Sequence, residues 1–321
     1  MKQTHLFKEL KPDTRAFPKA INVASVPQRS PFRYPGGKTW FVPRFREWMQ
    51  SKSSKPRLLI EPFVGGGIIS LTALFEDLVD EVLMVELDEG ISAVWQTVIN
   101  GNADWLINKI LHFDLTRESV TDEISRKTTI TKELAFQTIL KNRTFHGGIL
   151  ANGSGLIKYG ESGKGIHSRW YPQTLAKRLR NLEHISNRLS FRHDDGLKVL
   201  NEYSNNQDAI YFIDPPYTAG GKSAGKRLYK YYAIDHENLF SLCEKLNGDF
   251  IMTYDNAAEV RALAKKHGFV AKPIAMRNTH HAELTELVIG RDLGWMDGVG
   301  RVLEEKVNYK RRTKSPHAPL K

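Results

Sequence analysis

The chain contains very little cysteine and lacks long apolar segments. Cys243 is its single cysteine, which excludes an intramolecular disulfide and a metal site built from several cysteines. No apolar run approaches the length of a membrane-spanning helix. Residues 1–30 include two acidic side chains and have no apolar block, so they do not have the pattern of a secretory or transit signal. We therefore expect a cytoplasmic protein that is not inserted in a membrane.

Two common nucleotide-binding motifs are missing as well. The glycine-rich segment that follows Glu61 does not have the G-x-G-x-x-G order of dinucleotide-binding folds, and the G-x-x-x-x-G-K-[ST] order of P-loop proteins does not occur. NAD and ATP are therefore disfavoured as ligands. With 321 residues, of which 40% are hydrophobic, the chain is long enough for one large domain with an insertion or for two domains.

Positive charge is in excess but unevenly distributed. The formal net charge is +11, and the two ends, residues 1–30 and 301–321, hold +4 and +5 of it. Residues 101–190 carry +6 and residues 217–232 carry +4, which leaves −8 for the rest of the chain between 31 and 300. Short basic ends are commonly just solvated. An acidic body with two basic segments, however, is typical of a protein that holds a cation in one place and a polyanion in another.

The order of strands and helices indicates a doubly wound α/β fold. A short apolar strand at 57–61 is followed by a glycine-rich turn, a helix at about 68–75 and a second strand at 82–86. Further elements are predicted towards the C-terminus: strands at 189–193 and 209–213, a helix at 235–246, a strand at 249–254, a helix at 256–267, a strand at 268–274, and a hairpin-like pair that ends at 286–289.

Residues 89–145 lose the strand pattern. Apolar side chains at Phe136, Ile139 and Leu140 recur at helical spacing, so this region is predicted to be helical. The loop at 146–165 contains seven glycines and can follow an irregular partner closely. We therefore expect a basic extension at 1–30, an α/β catalytic domain at 31–100 and 189–300, a helical insert at 101–188 and a basic tail at 301–321.

The segment Asp214–Tyr217 follows the apolar run 209–213. A carboxylate at the end of a buried strand, two prolines and an aromatic ring can hold a planar amine, because each proline fixes its own φ and restricts the residue before it. The carbonyl groups of Asp214 and Pro215 are then held in set directions beside one ring face. A strand that ends in an ordinary proline turn has the same sequence, so this segment alone does not decide between the two interpretations.

A glycine turn and an acidic side chain indicate a cofactor site, although an ordinary glycine-rich turn is the alternative. Gly65, Gly66 and Gly67 follow a buried strand, where missing side chains let a ligand approach the main chain. Glu86 ends the next strand and is placed to accept both ribose hydroxyls of an adenosine-containing cofactor, with Asp88 as its rival. Acidic residues repel a polyphosphate and favour a cationic sulfonium. S-adenosylmethionine has that sign of charge.

A third segment, Phe32–Lys38, contains a Pro-Gly-Gly turn before a predicted amphipathic helix. Lys38 is the expected partner of the cofactor's carboxylate, and Tyr34 is expected to pack on the cofactor. The alternative is an ordinary turn in which Lys38 is only the solvated start of the helix.

Taken in order, these segments resemble the Dam-type DNA adenine-N6 methyltransferases. The motifs are F-x-x-x-G-G-K at 32–38, E-P-F-x-G-G-G at 61–67, a strand-end acid, a helical insert, and D-P-P-Y at 214–217. The resemblance runs from about 32 to 289, and the motifs are far more specific together than singly. It implies a Rossmann-like S-adenosylmethionine-dependent methyltransferase sheet with an inserted helical DNA-recognition domain. The strand-end acid is usually aspartate in the family, and Glu86 is longer by one methylene.

The resemblance also implies roles for individual residues. In the family, the Asp214 carboxylate and the Pro215 carbonyl would each accept one hydrogen of the adenine amine, and Tyr217 would stack on the flipped base. The implied catalytic residues are Asp214, Pro215, Pro216 and Tyr217. The implied cofactor-binding residues are Tyr34, Lys38, Glu61, Phe63, Gly65, Gly66, Gly67, Glu86, Phe191 and Asp195, with Asp194 an alternative to Asp195.

Double-stranded DNA is the partner that the resemblance implies. A cognate restriction endonuclease is a further candidate partner, and the chain is expected to be a monomer without a metal. Two other functions stay open here, an RNA adenine-N6 methyltransferase and a DNA-binding regulator that has lost catalysis. The candidate DNA-binding residues are Asn142, Arg143, Asn152, Lys158, Lys222, Lys226, Arg227 and Lys230.

Overall fold

Seven apolar segments form one sheet. The computed structural model describes residues 26–33, 36–150, 153–216, 231, 233–277 and 283–301. Within these residues the strands are β1 Leu58–Glu61, β2 Glu81–Glu86, β3 Leu189–His193, β4 Ala209–Ile213, β5 Phe250–Asp255, β6 Val270–Arg277 and β7 Glu283–Gly290. The α-helices are α1 Val42–Gln50, α2 Ile68–Phe75, α3 Glu89–Thr97, α4 Ala103–His112, α5 Arg117–Ser125, α6 Thr131–Thr144, α7 Pro172–Asn181, α8 Gly196–Glu202, α9 His236–Lys245 and α10 Ala258–Lys266.

The strand order of the sheet is β3-β2-β1-β4-β5-β7-β6. Strands β1 to β5 pair in parallel, and β7 pairs antiparallel with both β5 and β6. The chain therefore moves outward from β1 through β2 to β3, returns to the other side of β1 as β4, and continues away from it. In open α/β sheets, ligands bind at the carboxyl ends of the strands where the order reverses in this way. The reversal lies between β1 and β4, and the predicted α/β fold is confirmed.

Both faces of the sheet are covered, which explains why its central strands β1, β4 and β5 are largely apolar. Along β4, Ile210 and Phe212 belong to one core, and Tyr211 and Ile213 belong to the other. The first core also contains residues of α1, α2 and α3, and the second contains residues of α8, α9 and α10. Alternate side chains of each strand therefore enter opposite cores, as the twofold period of a strand requires.

The connection from β2 to β3 contains α3 to α7. Helix α6 packs against α3, α4 and α5, while α7 packs against α4. In this region Phe113 contacts the rings of Phe136 and Trp170, with ring centroids 5.1 and 6.2 Å apart. Phe145 and Leu156 form an isolated bridge outside the sheet. None of the helices that the structure describes is both long enough and apolar enough to cross a lipid bilayer.

Candidate active site

A cavity of about 890 Å³ opens at the carboxyl ends of β1, β2 and β4. Its floor includes the turn 61–68, residues 86–88, residues 195–197 and the segment 214–216. The opposite wall includes residues of the segment 28–33 and side chains of α6 and α7. Its volume lies in the range of sites that hold small organic ligands, and its position is the reversal point of the strand order.

The turn after β1 is held by a buried carboxylate. Glu61 accepts hydrogen bonds from the backbone N–H of Ser70, at 3.1 Å, and from the Ser70 hydroxyl. Burial raises the pKa of Glu61 to about 8, although these hydrogen bonds lower it. Gly67 has a φ of +65°, and a Cβ there would lie 3.0 Å from the Trp95 ring. A side chain at this position would therefore be strained by the backbone and crowded by Trp95.

Glu86, at the end of β2, faces the same turn. Its Oε2 accepts from the backbone N–H of Gly65 at 2.9 Å, and its Oε1 accepts from the N–H groups of Leu87 and Asp88 at 3.0 Å. Desolvation raises the pKa of Glu86 to about 7 despite these bonds. Asp88 also lines the cavity, but its Oδ1 caps α3 by accepting from Gly90 and Ile91. Glu86 and Asp88 therefore both lie at the cavity, and the assignment of ribose hydroxyls to Glu86 stays a prediction.

The segment after β3 contributes one of the two aspartates considered for the adenine. Asp195 lines the cavity and caps α8 through the N–H of Leu197 at 2.8 Å. Asp194 instead pairs with Arg192 and with Lys198. A Cβ on Gly196 would lie 2.3 Å from the Pro62 carbonyl oxygen, so only glycine lets α8 begin this close to the first turn.

Phe191 is not among the residues that line the cavity, whereas Asp195 is. It lies on β3 opposite Met84 of β2 and packs, half-buried, against the first core. The structure therefore gives Phe191 a packing position and does not place it among the residues that line the cavity. Phe63, in contrast, lines the cavity together with the three glycines of the turn.

Asp214 follows β4 and is held by Lys38, which comes earlier in the chain, and by Thr253 of β5, which comes later. Its Oδ1 lies 2.9 Å from Lys38 Nζ and accepts from the Thr253 hydroxyl at 2.8 Å. Lys38 is buried, and its Nζ also lies 3.4 Å from Glu286 Oε2 and 3.3 Å from the Gly36 carbonyl oxygen. Lys38 is therefore an internal counter-ion and not a solvated helix start.

Thr253 and Glu286 are site residues that our sequence reasoning missed. Thr253 lies in the largely apolar strand β5, Glu286 directly precedes the apolar residues 287–289 of β7, and both are buried. Burial raises the pKa of Glu286 to about 7, while the nearby Lys38 ammonium lowers it. Buried polar side chains are normally hydrogen-bonded or paired, so a polar residue within or next to an apolar run of a strand is the signal that could have identified them.

Two side chains predicted to contact DNA are turned inward by α6, and their contact with DNA stays a prediction. Asn142 is completely buried, and its amide bonds the backbone N–H and carbonyl of Arg33 and the carbonyl of Gly148, each at 2.9 Å. Arg143 is 4% exposed and donates to the Pro31 carbonyl. These side chains fasten the segment 31–33 to α6 and do not form an outer surface. Lys158 is exposed, and its predicted contact with DNA stays a prediction.

Other predicted site residues lie beyond the part of the chain that the structure describes. Pro215 and Pro216 are described and line the cavity beside Asp214. The predicted residues outside the described ranges are Tyr34, Asn152, Tyr217, Lys222, Lys226, Arg227 and Lys230.

Comparison with known proteins identifies the family. No curated protein sequence shows significant similarity to the chain. Among solved structures, the rRNA methyltransferase aviRa from Streptomyces viridochromogenes is 12% identical with a TM-score of 0.39, over 82% of this chain and 88% of that one. A provisionally assigned RNA methyltransferase from Pyrococcus horikoshii is 12% identical with a TM-score of 0.36, over 81% and 84%. Likenesses this low carry no argument about substrate.

A family model gives the decisive match. The model for D12 class N6 adenine-specific DNA methyltransferases covers residues 34–279, which includes the glycine turn, the acidic strand ends and Asp214. This span is well over half of the chain. The protein therefore belongs to the D12 class N6 adenine-specific DNA methyltransferase family.

Proposed function

We propose that the protein transfers a methyl group from S-adenosylmethionine to the N6 amine of a flipped adenine in double-stranded DNA at a specific sequence. The observation that carries this proposal is the meeting of Asp214 with Glu61 and Glu86 at one cavity. An acidic floor suits a cationic cofactor, and a strand-end carboxylate next to two prolines suits a planar amine. The family match supports the same assignment.

The residues present fit S-adenosylmethionine. Glu86 is fixed by three backbone N–H groups at the end of β2, where its carboxylate can accept ribose hydroxyls. Gly65 and Gly67 leave the main chain of the turn open to a ligand, and Asp195 lies at the same cavity. When bound, the cofactor supplies an electrophilic methyl group on a sulfonium. The floor carboxylates would stabilise that positive charge.

Asp214 and Pro215 would orient the substrate amine. The lone pair of an aromatic amine is delocalised into the ring, so the amine is a poor nucleophile until it is pulled towards tetrahedral geometry. If the Asp214 carboxylate and the Pro215 carbonyl each accept one of its hydrogens, the lone pair is directed away from both. Lys38 and Thr253 fix the carboxylate before the substrate arrives. Positioning and electrostatics then supply most of the acceleration.

DNA is the proposed substrate, and adenine must leave the helix to reach this cavity. Tyr217 and the basic residues Lys222, Lys226, Arg227 and Lys230 are proposed to hold the flipped base and its backbone.

Sequencing of DNA from cells that express the protein is expected to detect N6-methyladenine in one recurring motif. A competition between duplex DNA and structured RNA for the purified protein separates the substrates. Methylation of the RNA alone would overturn the proposal in favour of an RNA methyltransferase.

Cofactor affinity is expected to rise with pH. The pKa values of Glu86 and Glu61 are raised by burial to about 7 and about 8, so part of the floor is protonated in the ligand-free protein at about pH 6. A cationic ligand favours the ionised carboxylates, so its binding releases protons and strengthens towards about pH 8, by up to roughly tenfold. Titration calorimetry at the two pH values tests this expectation.

S-adenosylhomocysteine is the matched control for this pH dependence, because its sulfur is neutral and the rest of the molecule is the same. We expect its affinity to change less between the two pH values than that of S-adenosylmethionine. Equal changes for both ligands would show that the floor carboxylates do not sense the sulfonium.

A further inference from the structure

The wall of the cavity opposite the sheet carries positive charge. Arg33, Arg143 and Arg178 line this wall and come from separate parts of the chain. Arg143 donates to the Pro31 carbonyl and Arg178 to the Ser30 carbonyl, so these two guanidinium groups hold the backbone of the wall. The Arg33 side chain, in contrast, is 43% exposed. The proposed function does not assign a ligand to this exposed cation.

Arg33 has a fixed place at the mouth of the cavity. Its backbone N–H donates to the side-chain oxygen of Asn142, and its carbonyl accepts from the Asn142 amide, each at 2.9 Å. Burial and the neighbouring Arg169 guanidinium lower the pKa of Arg33, while Glu161 and Tyr171 raise it. Tyr171 lines the same cavity and is half-exposed. Two guanidinium groups and an aromatic ring are therefore gathered at this mouth, which favours an anion there.

Glu161 pairs with both of these arginines. Its Oε1 lies 3.8 Å from Arg33 Nη2 and accepts from Arg169 Nε at 3.3 Å. Both distances are longer than the roughly 2.7–2.9 Å of a well-formed charge-assisted hydrogen bond, and 57% of the Glu161 side chain is exposed. Exposed ion pairs contribute little to the free energy of a fold. A second anion can therefore displace Glu161 from the two arginines.

The turn that carries Glu161 is strained. Ser162 has a φ of +55°, in the left-handed region that residues other than glycine rarely adopt. Gly160 and Gly163, on either side, also have positive φ, at +66° and +71°. Strained positions of this kind cluster at ligand clamps and switch segments. Movement of the turn when Glu161 is released would relieve the strain, and this favours exchange of Glu161 for a ligand.

We infer that Arg33 and Arg169 bind a phosphate of the DNA strand that carries the target adenine, and that Glu161 occupies this phosphate site in the free protein. The inference rests on the proposed DNA substrate. A base that enters the cavity leaves its phosphates outside at the mouth, where these guanidinium groups lie. Guanidinium groups bind phosphates through paired N–H donors. A phosphate contact positions the strand without reading its sequence, so Glu161 lowers the affinity for all DNA sequences alike.

DNA binding by Glu161→Gln tests the exchange, because glutamine keeps the size of the side chain and removes the competing charge. Fluorescence anisotropy with duplex DNA and S-adenosylhomocysteine is expected to show binding that is roughly threefold to tenfold tighter at about 50 mM salt. The plot of log K against log salt is expected to become steeper by up to about 0.9, as for one additional phosphate contact. The gain is expected to be equal for DNA with and without the recognised motif.

Arg169→Gln, alone and combined with Glu161→Gln, separates competition from support. If Glu161 competes with the phosphate, Arg169→Gln weakens DNA binding by roughly tenfold in the Glu161→Gln background and by less in the unmodified protein. If Glu161 instead orients Arg169 for DNA, Glu161→Gln itself weakens binding, and Arg169→Gln adds little to that loss. The second pattern would overturn the inference. Circular dichroism reports the folding of each variant.

Glu183→Gln and Arg180→Gln are matched controls, because both residues are exposed and neither lines the cavity. We expect both variants to bind DNA nearly as the unmodified protein does. An equal gain in Glu183→Gln would mean that only net charge matters, which refutes the phosphate site. DNA binding that Glu161→Gln leaves unchanged would also refute this site and would leave the proposed function intact. Failure of the unmodified protein to bind duplex DNA would instead refute the proposed substrate, and the phosphate site with it.

Discussion

Replacing Asp214 by asparagine is expected to lower the rate of methyl transfer by roughly 10² to 10⁴-fold. The amide keeps the size of the side chain but removes the negative charge that would polarise the amine of the substrate. It also offers a neutral oxygen where Lys38 and Thr253 now bind a carboxylate oxygen at 2.9 and 2.8 Å. The amine would therefore be held less firmly and would be less nucleophilic.

The measurement is a single-turnover methylation assay on duplex DNA with saturating cofactor. Asp208→Asn is a suitable control, since Asp208 is exposed and precedes the opposite end of the same strand, β4. We expect the control to keep its activity and both variants to bind S-adenosylhomocysteine. Undiminished methylation by Asp214→Asn would refute the proposed mechanism.

The fold was predictable where strands are buried on both faces. The sequence predicts a strand at 209–213, and β4 has these bounds, because a doubly covered strand is an apolar run with clear ends. The strand predicted at 189–193 also has the bounds of β3, although β3 is an edge strand in which only Leu189 is buried. Strand β6 is predicted at 268–274 but spans Val270–Arg277. Gly268 has a φ of +71° and belongs to the turn after α10, while pairing with β7 extends the strand beyond its apolar part.

The candidate site was predictable only for residues that lie at the end of a strand or directly after one in the sequence. Glu61, Glu86 and Asp214 each follow or end a parallel strand, so their meeting at one edge of the sheet follows from the fold class. Thr253 and Glu286 are brought to Asp214 by the register of β5 and by the antiparallel β7. The register of paired strands is set when the sheet assembles, and it cannot be predicted from the spacing of residues in the sequence.

Asn142 and Arg143 show that polar and charged side chains need not lie on the outer surface. Arg143 follows Phe136, Ile139 and Leu140 at helical spacing, so periodicity alone puts it on the buried face of α6. Its charge suggested an outer surface, since arginine is rarely fully buried. The partner that makes burial possible is the Pro31 carbonyl, 112 residues away in the sequence.

Replacing Lys38 by methionine is expected to destabilise the protein by roughly 3–5 kcal/mol, the usual cost of removing one member of a buried ion pair. Methionine fills much of the same space but leaves the Asp214 and Glu286 carboxylates without the ammonium group between them. Methylation is expected to fall by about a hundredfold as well, because Asp214 loses a contact that fixes its carboxylate.

The pH dependence of this destabilisation identifies its origin. The pKa of Glu286 is already raised by burial to about 7, and Lys38 lowers it, so the Lys38→Met variant raises it further. The unfolded chain ionises near the ordinary glutamate pKa of about 4.3. Between that value and the folded pKa, the folded state binds more protons than the unfolded state, and stability falls as pH rises. In the variant, the pH range over which stability falls extends to higher pH. The stability that Lys38→Met loses relative to the unmodified protein is therefore expected to be larger at about pH 8 than at about pH 5.

Urea unfolding measures this effect. It is applied to the unmodified chain, to Lys38→Met, and to the double variant Lys38→Met with Glu286→Gln. Glutamine has no charge to bury, so the double variant is expected to recover part of the stability at about pH 8 and to lose the extra pH dependence. It is not expected to recover activity, because Asp214 still lacks its counter-ion. A Lys38→Met deficit that is the same at both pH values would mean that Lys38 acts through packing, and the buried Lys38–Glu286 pair would then carry no electrostatic role.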